Sequence, residues 1–120
     1  MNTYQDEASQ SESLRLSFAE MRKAGWNVDT DLLWGYFFVD ANLQKLNSLK
    51  RHLEQLGFRF VDVFEIEDED EPPSGEHMLH VERIEAHSPI TLAKRNVAFS
   101  VLASEYGVRA YDGWDVGLVE

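Results

Sequence analysis

Three histidines and a row of carboxylates crowd one stretch of this sequence: Glu76, His77, His80, Glu82, Glu85 and His87. Imidazoles and carboxylates are the common ligands of transition metals and the common general acids and bases. On an extended strand side chains alternate, so His80 and Glu82 share a face while His77 and His80 point to opposite ones. Two convergent ligands fall short of the three or four that such a metal needs, and the spacing predicts surface histidines without a metal. The other ingredients of catalysis are missing. There is no GxSxG and no phosphate-cradling glycine loop, and no cysteine nucleophile. The many Asp and Glu lie in a solvated run, where no desolvation raises a carboxyl pKa. The expectation is a protein that is not an enzyme and holds no catalytic residue, metal or cofactor.

Charge gives a stronger signal. The formal net charge is −11 over 120 residues. Between Val61 and Ile90 ten acids stand against one cation, Arg83, so this quarter of the chain carries −9 of that total. Glu65, Glu67, Asp68, Glu69, Asp70 and Glu71 are its densest part and the candidate partner-binding residues. A field of this sign repels phosphate backbones and attracts basic partners, mainly through encounter rate and salt-dependent attraction. A protein partner is therefore expected rather than direct nucleic-acid binding; the bland alternative is a loop that keeps a small protein soluble. The start of the sequence, MNTYQDEASQSES, lacks the apolar stretch of a secretory signal. The longest apolar run, Leu32 to Val39, is far too short to span a bilayer. With no cysteine, a reducing compartment suits the chain. A cytoplasmic protein without membrane contact is expected.

The elements that must position these groups follow from periodicity. One domain is expected over residues 13–120, after a flexible acidic segment 1–12. A first helix runs from about Asp6 to Ala24, with Leu14, Phe18 and Met21 at helical spacing. LLWGYFFV reads as a buried strand, and Asp40 as the N-cap of a second helix striped with Leu43, Leu46, Leu49, Leu53 and Leu56. Gly57 sits where a C′ glycine would close that helix. Phe58 to Glu67 reads as a strand bulged near Val61, and MLHVERIEAH as its hairpin return after the loop DEDEPPSGE. Ser88 and Pro89 open a third helix that should turn Ile90, Ala93, Val97, Val101 and Leu102 inward. VRAYDGWDVGLVE supplies the last strand. This order predicts a ferredoxin-like α+β sandwich: a βαββαβ four-stranded antiparallel sheet with two helices on one face and an extra N-terminal helix. Leu33, Phe37 and Val39 make the second face of the first strand apolar too. The N-terminal helix is expected to cover the otherwise open face, around Trp34 and Phe38, through Leu14, Phe18 and Met21; the alternative is an exposed protein-binding face.

The last strand reads EYGVRAYDGWDVGLVE, and its YDGW element, Tyr111, Asp112, Gly113 and Trp114, follows a helix in an acidic domain. The QLGF turn into the second strand, the acid-rich hairpin loop and the acidic N-terminal helix accompany it. In this ordered set the sequence, from about Ser13 to Val119, resembles the RraB family of ribonuclease E activity regulators. The resemblance implies a ferredoxin-like fold without enzymatic activity. It also implies binding to the non-catalytic, Arg-rich scaffold region of ribonuclease E, or to a similar basic RNA-processing protein, so that RNA cleavage is inhibited or redirected. An acidic protein suits such a partner, although fold transfers between relatives more safely than partner. The alternative is an immunity-type or nucleic-acid-mimic inhibitor that turns the same acids on another basic enzyme. For YDGW the residues favour a structural role, with Asp112 and Gly113 forming a bend that aims Tyr111 and Trp114 into the domain.

Overall fold

The computed structural model describes residues 7–67, 72 and 74–119. They form α1 (Glu7–Lys23), β1 (Leu32–Asp40), α2 (Leu43–Gln55), β2 (Arg59–Glu65), β3 (His77–Glu85), α3 (Pro89–Glu105) and β4 (Ala110–Gly117). The strands make one antiparallel sheet in the order β2-β3-β1-β4, which is the ferredoxin-like βαββαβ topology preceded by a helix. The first helix begins at Glu7, inside the segment 1–12 that composition marks as flexible; residues 1–6 lie outside the described residues.

β1 runs through the middle of the sheet because both its faces are apolar. Its Trp34, Tyr36 and Phe38 are fully buried and meet rings from the helix layer and the strands beside it. Phe99 of α3 lies 5.1 Å from Tyr36 and 5.3 Å from Phe38, ring to ring. Phe58, in the turn before β2, lies 5.8 Å from Tyr36. Each large apolar side chain so buried contributes about 1.5–3 kcal/mol. From α2 the core receives Leu46, Leu49 and Leu53. Leu43 and Leu56, at the ends of the predicted stripe, stay about half exposed, because a straight helix diverges from a twisted sheet at its ends.

Local signals fix most boundaries. Gly57 has φ +99°, the left-handed conformation of a C′ glycine. Ser88 and Thr91 form a reciprocal capping box, with Pro89 in the first turn of α3. The β2–β3 register slips between Phe60 and Asp62, which is the bulge expected at Val61. Asp40 is a correction. The N-cap of α2 is Asn42, whose side chain accepts from the Lys45 amide at 3.1 Å. Asp40 instead ends β1, nearly buried, and its carboxylate accepts from the Asn42 and Arg109 amides at 2.7 and 2.8 Å. It ties the start of α2 to the entry of β4.

Two further expectations hold only in part. α3 buries Leu92, Ala93, Asn96, Phe99 and Ala103, while Ile90 and Val101 are exposed. The helix is apolar on several sides, so periodicity alone could not set its rotation; the rings of Tyr36, Phe38, Phe58 and Tyr111 against Phe99 do. The N-terminal helix reaches Trp34, as expected, but Trp34 and Phe38 lie on the face that carries α3, so α1 does not cover the open face. α1 packs beside α3 and lays Phe18 on Trp34 at 6.0 Å, on the face that already carries the helices. Trp34 also meets the rings of His87 and Trp114, at 5.0 and 5.5 Å, and Leu14 and Phe18 join it in one buried core. Among the described residues no helix lies on the other face of the sheet.

Candidate protein-binding surface

The acids that look alike in sequence occupy three different environments. Glu85, at the end of β3, lies within a polar cluster at the start of α3. Arg95 grips its carboxylate with two hydrogen bonds of 2.7 and 3.0 Å, and the Tyr36 hydroxyl donates to it at 2.5 Å. His87 Nε2 lies 3.1 Å from the same carboxylate and 2.9 Å from Tyr36 Oη. Burial by itself raises the Glu85 pKa, but hydrogen bonds from His87, Arg95 and Tyr36 outweigh it and bring the carboxyl down to about 2. The Tyr36 phenol moves the other way, raised by burial and then by its bond to Glu85. Sequence reasoning missed this cluster. Glu85 and His87 share a strand face by spacing, but nothing in the chain tells that Arg95 comes round to them.

The second environment is compensated at the surface. Glu82, almost buried, is paired with Arg59 across β2 and β3, and Glu76 is paired with Arg109. The third is uncompensated. Asp62, Glu65 and Glu67, on β2 and the loop after it, are exposed, and among the described residues none has an ion-pair partner. Asp62 accepts only from the Val63 amide, at 2.8 Å. The hairpin ladder continues to the Ile66 amide, which donates to Glu76 O at 2.9 Å, so Glu65 and Glu67 flank an ordered edge of the sheet. Asp68, Glu69, Asp70 and Glu71, the rest of the predicted partner-binding set, lie outside the described residues.

His80 and Glu82 do share a face, as the strand alternation requires; both stand on the uncovered side of the sheet, opposite Phe37 and Gly35 of β1. The His80 ring stacks on Phe37 at 4.3 Å. Among the described residues no group of three or more His, Cys, Asp or Glu converges as a metal site. No helix among them is long and apolar enough to cross a membrane.

YDGW lies in β4, beside β1. The register shifts between Phe37 and Phe38, which leaves Asp112 as the extra residue, exposed, and Gly113 follows at φ +117°. The bulge turns Tyr111 and Trp114 to the same side. The Tyr111 hydroxyl donates to Asn96 Oδ1 at 2.7 Å and its ring packs on Phe38 and Phe99. Burial pushes its pKa up. Trp114 is half-buried and lies 5.5 Å from Trp34.

The architecture is that of a ferredoxin-like sandwich with an added helix, one uncovered sheet face and an acidic edge. A family model described as regulator of ribonuclease activity B, RraB, matches residues 12–116. The chain belongs to that family, and so falls among regulators of ribonuclease activity. No curated protein matches it.

Proposed function

We propose that the protein binds a basic segment of a ribonuclease of the ribonuclease E type, outside its catalytic part, and thereby restrains or redirects RNA cleavage without catalysing a reaction itself. The observation that carries this reading is how the arginines are distributed. Arg59, Arg95 and Arg109 neutralise Glu82, Glu85 and Glu76, while Asp62, Glu65 and Glu67 on β2 and the loop after it have no ion-pair partner among the described residues. The hairpin acids that follow in the sequence extend the same field. A disordered Arg-rich segment meets such a field early in its approach, and the attraction acts mainly on the rate of encounter. The RNA that such an enzyme cleaves is cytoplasmic, and that is the proposed compartment.

Association kinetics with the isolated non-catalytic segment of the ribonuclease test the reading. Surface charges are screened over about 8 Å at physiological salt, so the on-rate should fall steeply between low and physiological ionic strength. Replacing Glu67, Asp68, Glu69 and Asp70 with Gln and Asn should slow association about tenfold and leave the melting temperature nearly unchanged, since exposed charges add little to stability. An on-rate indifferent to salt and to these changes would overturn the electrostatic account. Binding to the catalytic fragment alone, in competition with RNA, would instead mark a nucleic-acid mimic.

A further inference from the structure

We propose that the uncovered face of the sheet docks a segment of a partner protein that presents an arginine beside an apolar residue. The inference rests on the regulator reading above and adds the place and chemistry of the contact. On this face β4 shows Gly113, Asp115 and Gly117, opposite Phe37, Gly35 and Leu33 of β1. With side chains missing at Gly35 and Gly117, the sheet surface sinks into a hollow of about 200 Å³ whose rim includes His80, Glu82 and Asp115. Gly35 is its floor. A Cβ there would run into Asp115 Oδ1 and His80 Nε2, so the ends of these two side chains lie over the Gly35 peptide and would have to swing aside for a larger residue.

The chemistry of the hollow selects its occupant. Carboxylates from two strands border one flat floor, and among the described residues no cation pairs with Asp115. A guanidinium is planar, carries five donors and accepts several carboxylates at once, whereas an ammonium is a compact point charge that keeps its water. The face already holds one guanidinium on a carboxylate, that of Arg59 on Glu82. Next to the hollow lies a broader basin that shares Leu33 and Glu82 with it; Arg59 and Arg83 line it, together with Ile84 and Leu118, both more than half exposed. An apolar residue adjacent to the arginine would cover them. Charge argues against the other occupants: a second copy brings another −11, and a nucleic acid brings phosphates to a face where Arg59 is paired with Glu82 and Arg83 with Glu85.

The test uses the full chain, labelled with 15N, and the synthetic peptide acetyl-Gly-Leu-Arg-Leu-Gly-amide. Amide shifts should map to Gly35, Asp115 and Gly117. The same peptide with citrulline in place of arginine should bind about tenfold more weakly, the loss expected for one charge-assisted contact. Asp115→Asn should weaken the arginine peptide by a similar factor, and Gly35→Ala should abolish its binding while the protein melts normally. Equal response to arginine and citrulline peptides would overturn the proposal. So would shifts confined to the hairpin, occupation of the face by oligouridylate, or dimerisation through it. With the ribonuclease segment, the two variants should speed dissociation and leave association unchanged. Wild-type dissociation rates, with association still sensitive to salt and hairpin charge, would remove this contact but keep the regulator reading. Absence of any binding to the segment would remove that reading, and the peptide titration would still decide the hollow.

Discussion

At Glu85 burial and hydrogen bonding act in opposite directions, and the balance has a measurable signature. Its carboxyl sits at about 2 in the folded chain against 4.5 for an unperturbed one. A lowered folded pKa means that the stabilisation is complete above the unfolded value and is lost as pH falls from about 4.5 toward 2. Glu85→Gln removes the charge and keeps the shape. At neutral pH it should cost about 1–3 kcal/mol, the range for a hydrogen-bonded charge, and the gap to the wild type should close in acid. Denaturant melts of both proteins at pH 7 and pH 3 check this; a gap that persists in acid would show that the cluster does not act through the carboxylate. Trp114 and Asp112 make the second comparison at this scale. Trp114→Ala should cost about 3 kcal/mol, the low end for truncating an aromatic, because the side chain is only half-buried against Trp34. Asp112→Asn should be mild in both melting and binding, since Asn tolerates the same bulge. A Trp114→Ala protein that melts normally yet fails to bind would place YDGW at the interface.

Among the elements, α1 is the one whose role depends on where it packs. Leu14 and Phe18 enter the same core as Trp34 and Leu92. Deleting residues 1–24 should therefore strip the flank of α3 and one side of Trp34, lower the melting temperature, and increase binding of a hydrophobic dye. The tryptophan emission should also shift to the red. If α1 lay on the uncovered face instead, the deletion would leave Trp34 emission unchanged and expose Phe37. The two edge strands share a device. β2 is bulged at Val61 and β4 at Asp112, and a bulge twists an edge away from pairing with another chain. This leaves the face of the sheet, not its rim, as the open surface.

For the whole molecule the decisive quantity is −11, because it acts on folding and binding with opposite signs. Like charges held together repel within the folded chain, so moderate salt should raise the melting temperature. The same salt screens attraction to a basic partner and should slow association. Melting and association measured across one series of ionic strengths test both: parallel rather than opposed trends would mean that specific ion binding, not screening, governs the protein. The split between compensated and bare acids fits this picture. Arginines serve the carboxylates whose burial would otherwise be costly, and the surplus negative charge collects where water solvates it.

The order of elements, the bulge at Val61, the glycine after α2 and the N-cap at Ser88 could all be read from the chain, because each is decided by neighbours a few residues away. So was the family, from YDGW and its ordered companions. The rotation of α3, the position of α1 and the role of Asp40 could not be read. Each is settled by which distant surfaces compete to be buried: Phe99 against four rings, Phe18 against Trp34, and an acid between two loops' amides. The candidate contact surface divides in the same way. The acidic run was visible as composition, whereas Gly35 acquires its meaning only when β3 and β4 pair on either side of it and bring His80 and Asp115 over its peptide.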